Sequence, residues 1–245
     1  MPTQLTLESA EFLRSSFYQS SMSRSAEYDE LTLDRLLLSQ DNIFALRSLG
    51  SESAGRMISY LMQSLEVKLD GRVIRNLLRE LASYVAVQSG RATKSGITGI
   101  DIELERDSKR YLIAVKSGKA WGNATQHKKL RDNFQTAVKV LKQNSSVGEI
   151  QPTLGICYGR FKTVNNGAFL HIGGQSFWEL ISAEPNLYKD IIEPIGHRAK
   201  EFNTAFGDKK EYALNRMVRE FTSRFCREDG SINWQEIVEF VSKNS

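Results

Sequence analysis

Residues 99–123 read Gly99-Ile-Asp101-Ile-Glu103-Leu-Glu105, then Arg106-Asp-Ser-Lys-Arg110, then Tyr111-Leu-Ile-Ala-Val-Lys116-Ser-Gly-Lys-Ala-Trp121-Gly-Asn123. Ile100, Ile102 and Leu104 alternate with Asp101, Glu103 and Glu105, the period of a half-buried strand. Arg110 to Lys116 is a second strand, rich in apolar and β-branched residues, and the polar run between them is a turn. With the pairing centred between Ser108 and Lys109, Asp101 lies opposite Lys116 and Glu103 opposite Ala114. Directly opposed residues share a sheet face with Cβ atoms roughly 4.5–5.5 Å apart. Two acids and one lysine then converge on one patch, a gathering of charge for which an apolar hairpin has no packing reason.

Outward from the hairpin, Asp70 to Ser89 is a helix with Val73, Leu77, Leu81 and Val85 as its buried stripe and Glu80 at the border. Gln88 to Thr98 is polar and reads as a loop. Its Gly90-Arg-Ala-Thr-Lys-Ser-Gly96 run lacks the Gly-Lys-Ser/Thr order of a phosphate loop, so no nucleotide cofactor is expected there, although Lys94 and Ser95 suit a backbone phosphate. Downstream, a helix spans about Ala124 to Gln143 with Asn123 as N-cap. Leu130, Phe134, Ala137 and Leu141 face its core; Lys128, Arg131, Gln135, Lys139 and Lys142 form a basic face. Strands follow at Thr153–Arg160 and Ala168–Gly173, joined by a turn at Asn165-Asn166-Gly167. Helices are expected at 177–181, 187–192 and 211–227. A last helix is capped by Asn233, with Glu236 placed for a capping box. Before the hairpin, residues 1–67 read as short helices at 7–21, 34–39 and 51–65, the last with Met57, Tyr60, Leu61 and Leu65 on one face. The expected division is a helical subdomain over 1–67, suited to packing or dimerisation, and an α/β domain over 68–245.

The chain of 245 residues carries a net charge of +4, and the pI is about 9.0, which permits a nucleic-acid partner without requiring one. The two cysteines, the lack of a secretory signal and the lack of any apolar run of about 20 residues lead us to expect a cytoplasmic protein with no membrane span. The three histidines are dispersed, and no Cys-x-x-Cys offers a zinc site. Cys157, in an expected buried strand, reads as core.

The Asp101…Lys116 hairpin resembles the active site of the PD-(D/E)XK nuclease superfamily, where an Asp opens one strand and an acid-x-Lys triplet lies on the next. Here the triplet is Ala114-Val115-Lys116, and Glu103 projects beside the vacancy. Lys116-Ser-Gly…Trp121-Gly-Asn123, Cys157-Tyr-Gly-Arg160, Gly174-Gln-Ser-Phe-Trp-Glu-Leu-Ile181 and Asn186–His197 look like segments of the PmeII-like type II restriction endonucleases, over residues 40–242. The resemblance implies a restriction-endonuclease-like α/β fold, a mixed central sheet flanked by helices with helical N- and C-terminal extensions. It also implies Mg²⁺-dependent hydrolysis of double-stranded DNA at a short sequence, by a homodimer. Asp101, Glu103 and Lys116 are then the catalytic set, with Asp101, Glu103 and Glu80 as metal ligands. Lys94, Ser117, Lys119, Asn123, Lys128 and Arg131 are the expected DNA contacts. Two other readings stay open: a repair or structure-selective nuclease of the same superfamily, and an inactive DNA-binding module, since Ala114 breaks the triplet.

Overall fold

The computed structural model describes residues 3–39, 42–48, 50, 53–143 and 148–243; for 17–25, 195 and 197–206 it describes the backbone alone. Contacts divide the chain into two compact units, Met1–Phe17 with Ile74–Arg198, and Tyr18–Val73 with Ala199–Ser245. The expected boundary at 67/68 is therefore corrected: the C-terminal segment belongs with residues 18–73, not with the sheet. The cause is hydrophobic. Tyr28, Leu31, Leu33, Leu36, Met57, Ile58 and Leu61 share one buried cluster with Ala213, Met217, Phe221, Phe225 and Ile237.

The first unit is built on one six-stranded sheet in the order β1-β2-β3-β4-β6-β5. Its strands are β1 (Ala92–Lys94), β2 (Ile102–Arg106), β3 (Lys109–Gly118), β4 (Glu149–Tyr158), β5 (Val164–Asn165) and β6 (Leu170–Gly173). β1, β2 and β3 are antiparallel neighbours, β3–β4 and β4–β6 are parallel, and β5 closes the far edge antiparallel to β6. The sheet is thus mixed, as the fold class requires. β1 lies inside the stretch read as a loop; its Ala-Thr-Lys carries little strand signal and is ordered by pairing with β2.

Helices α1 (Gln4–Glu30), α2 (Leu33–Leu38) and α3 (Ile43–Ser48) precede the strands in sequence, and the short α7 (Leu187–Asp190) follows them. Two layers cover the sheet. On one face, helix α4 (Ala54–Gln88) lays Leu77, Leu78, Leu81, Ala82 and Val85 against Ile102, Leu104, Ile113 and Val115. This helix is continuous, where the sequence suggested separate helices at 51–65 and 70–89. Residues 66–69 hold no Gly or Pro to stop it, and Gly71 is carried inside it. On the other face, helix α5 (Ala124–Gln143) sets Leu130, Phe134 and Ala137 on Leu112, Ala114, Leu154 and Ile156. Its bounds agree with the reading, and Asn123 caps it: Asn123 Oδ1 accepts from the Gln126 amide and Gln126 Oε1 accepts from the Asn123 amide, both at 3.0 Å. Helix α6 (Gln175–Ser182) buries Phe177, Trp178 and Ile181. The Arg106 guanidinium donates to the Glu179 and Leu180 carbonyls at its end, at 2.7 and 2.8 Å.

In the second unit, the long helix α8 (Ile192–Phe225) contributes Arg216, which donates to the Tyr28 and Leu31 carbonyls at 3.2 and 2.7 Å. Helix α9 (Trp234–Ser242) follows Asn233, but the expected capping box is absent. Asn233 Oδ1 accepts no hydrogen bond, and its amide nitrogen donates to Glu236 at 3.0 Å instead. No described helix is long and apolar enough to cross a membrane.

Candidate active site

The β2–β3 turn decides the register. Asp107 and Ser108 both take positive φ, 50° and 59°, and Arg106 pairs with Lys109. This two-residue turn matches the twist of its strands. It centres the hairpin between Asp107 and Ser108, so Glu103 faces Leu112 and Ile102 faces Ile113. The expected pairs Asp101–Lys116 and Glu103–Ala114 are corrected by two residues. Asp101, one step beyond Ile102, is level with Ala114. An even shift leaves Glu103 and Lys116 on the same face, while Asp101, just ahead of β2, is placed by contacts of its own.

Asp101 sits where β2 begins, its amide donating to the Ile113 carbonyl at 2.8 Å. Its Oδ2 accepts the Val115 amide at 2.6 Å, and its Oδ1 accepts from Arg79 Nη2 of α4 at 3.0 Å. Both carboxylate oxygens are therefore held. Asp101 opens into a cleft of about 430 Å³ whose lining includes Asn76, Arg79, Glu80, Ser83 and Lys94. α4 can supply this polar wall because the positions facing the sheet are the apolar 77, 78, 81, 82 and 85, which leaves 76, 79, 80 and 83 on the open side. Glu80, an acid chosen from its place beside the stripe, thus lines the cleft of Asp101. Arg79 was not singled out by sequence: it follows two core leucines and carries no pattern of its own.

Glu103 is placed differently. Its Oε1 accepts from Ser95 Oγ at 2.8 Å and its Oε2 pairs with Arg110 at 2.5 Å, with only 13% of the side chain exposed. It lies on the same strand as Asp101 but is not part of the cleft lining.

Lys116 is half-buried, and its Nζ lies 4.9 Å from the Trp121 ring centre, a cation–π contact. Burial lowers its pKa below the ordinary lysine value, Asp101 opposes that shift, and Arg79 adds to it. Lys116 therefore senses both members of the Asp101–Arg79 pair. Trp121 in turn meets His127 edge-on at 4.8 Å. Burial first, and then His127, lowers the pKa of His171 on β6. Cys157 is core, its thiol pushed up to about 12 by burial.

Among the expected DNA contacts, Lys94 shares the cleft with Asp101. Lys119, Lys128 and Arg131 are exposed but outside it. Ser117 is buried and the Asn123 side chain is engaged as a helix cap. Arg131 borders a second polar cleft of about 470 Å³ with Gln135, Lys139, Gln151 and Asn165. That cleft meets the start of β4, whereas Lys116 pairs with Ile156 near its end. Among the described residues no group of three or more His, Cys, Asp or Glu side chains forms a ready cage for a metal. Two carboxylates in an open cleft, one already held by a cationic side chain, fit a hard ion that binds few protein oxygens and keeps several waters.

No curated protein sequence matches the chain. A family model does: that of the type II restriction endonuclease EcoO109I, over residues 8–203. This span takes in α4, the hairpin with Asp101 and Lys116, α5 and the whole sheet. The acid–lysine hairpin, the mixed sheet between helical layers and this match lead to one conclusion: the chain belongs to the type II restriction endonuclease EcoO109I family and is a site-specific deoxyribonuclease.

Proposed function

We propose that the enzyme cuts duplex DNA with Mg²⁺ as a homodimer, using Asp101 and Lys116 as its working pair. The supporting observation is that Asp101 accepts the amide of Val115, the residue before Lys116, while Glu80 lines the cleft into which Asp101 opens. Asp101 and Glu80 would hold the ion. Glu103 is the second candidate, and using it requires giving up Ser95 and Arg110. Bound Mg²⁺ supplies a Lewis acid at the phosphate and a water of lowered pKa. Lys116 orients the nucleophile and stabilises charge developing on the phosphoryl oxygens. Trp121 steadies its ammonium, and Lys94 takes a neighbouring phosphate. Within the family, the Lys116–Asn123 and Gly174–Ile181 segments favour the PmeII-like group. Incubation with a long linear DNA and Mg²⁺ should give discrete bands, lost on chelation with EDTA. A featureless smear, or bands that persist in EDTA, would refute the reading.

The exposed basic face of α5 has no core role and follows the site directly in sequence, so it is assigned to the DNA backbone. Reversing charge at Lys128 and Arg131 should weaken binding to all sequences and reduce the salt slope by about two. Identical salt curves for parent and variant would return this face to simple solvation.

One chain carries one such site, and cutting both strands calls for two. A two-fold dimer is the simplest match to a symmetric target. Sedimentation should give about twice the 27.7 kDa chain mass. A monomer both free and on DNA would instead mean two successive nicks. Ile237 of α9 is fully buried within its own unit and so is not available to a dimer contact.

A further inference from the structure

We propose that Arg79 is a resident cation of the Asp101 site, one that neutralises this carboxylate until a divalent ion displaces it. The inference rests on the reading of Asp101 as a metal ligand. Asp101 has two oxygens, and each already has a partner. The Val115 amide belongs to β3, held to β4 at that point by the Val115–Gly155 pair, and cannot turn away without disturbing the sheet. Arg79 is a long side chain reaching from a helix, 44% exposed against 25% for Asp101. Of the two partners, Arg79 is the one free to leave. It is also the one that an incoming cation must compete with, both for the oxygen and through like charge.

The released guanidinium has somewhere to go. It lines the same cleft as Lys94, and a phosphate offers it a bidentate pairing in place of the single hydrogen bond it makes to Asp101 Oδ1. DNA would then draw Arg79 off the carboxylate and so prepare the metal site. By reciprocity, metal on Asp101 would free Arg79 for DNA. The two ligands thereby favour one another, and the enzyme without DNA holds metal weakly. No signal in the sequence marks this role, because the pair links residues 22 positions apart on different elements.

The test is metal binding without DNA. Mn²⁺ is titrated calorimetrically into the full-length parent, Arg79→Gln and Arg79→Lys, each shown folded by circular dichroism. Arg79→Gln should bind Mn²⁺ about tenfold more tightly than the parent, since an exposed pair and its repulsion of the ion are both removed. Arg79→Lys, which keeps the charge, should stay close to the parent. Equal or weaker binding by Arg79→Gln, while the parent binds, overturns the role of Arg79 and leaves Asp101 as a ligand. Absence of binding in all three removes Asp101 as a metal ligand, and this inference with it.

Discussion

Asp101→Asn and Lys116→Ala should each cleave DNA at less than about a thousandth of the parental rate, the scale of losing a metal anchor or a group that meets charge in the transition state. Both proteins should fold. Asparagine keeps the acceptor for the Val115 amide, so the β2–β3 junction survives. Lys116 is half-buried and forms no ion pair among the described residues, so its removal costs the fold a cation–π contact. Glu80→Gln should follow with a smaller loss, because Glu80 lines the cleft from an exposed helix position. Glu103→Gln should cost least in rate and most in local order, leaving Arg110 without its anion. The measurement is the initial rate on plasmid DNA, with circular dichroism as the check on folding. Near-parental cleavage by Asp101→Asn ends the metal-site reading. A deeper loss from Glu103→Gln than from Glu80→Gln would show that Glu103 leaves Arg110 to bind the ion.

The parts of the fold legible in the sequence are those governed by local chemistry. Alternation gave the hairpin, Asn123 gave the start of α5, and Asn165-Asn166-Gly167 gave a turn in which Asn165 and Asn166 side chains accept amides of residues 167–169. The approach of Asp101 to β3 beside Lys116 was legible too, because a slip of two residues keeps the alternation of the strands. The slip came from one turn: Asp107-Ser108 has no glycine to announce the positive φ that both residues adopt. What could not be read depends on distant partners. β1 exists because β2 is beside it, and the boundary between units follows a core assembled from both ends of the chain. Glu103 looked available because Ser95 and Arg110 could not be placed against it. The Gly174–Ile181 segment, one of those in which the sequence resembles the PmeII-like enzymes, proves to be a packing element. Phe177 and Trp178 are core, and the indole N–H of Trp178 donates to the Cys157 carbonyl at 2.8 Å.

That packing element sets up the largest expected effect on stability, at Gly155. β4 passes so close beneath α6 that a Cβ on Gly155 would lie 2.3 Å from Phe177 Cε2 and 2.6 Å from Cδ2. Phe177 has no exposed surface, and its ring abuts Trp178 with centroids 5.6 Å apart. Trp178 is itself pinned by its bond to Cys157, so the ring cannot retreat and either the strand or the helix must shift. Overpacking of a tight core in this way costs about 3 kcal/mol. For a chain of this size that lowers the melting temperature by about 6–12 °C. Gly96→Ala is the matched control, since a Cβ there meets nothing within 4 Å and its φ lies outside the left-handed region. Trimming the ring should reveal the cause: Phe177→Leu in the Gly155→Ala background should recover part of the loss, a positive coupling between two touching sites. Scanning calorimetry of the parent, Gly155→Ala, Phe177→Leu, the double variant and the Gly96→Ala control decides the matter. If Gly155→Ala melts with the parent, β4 and α6 are more loosely packed than these distances require. If Phe177→Leu adds its own loss without recovery, the strain lies elsewhere.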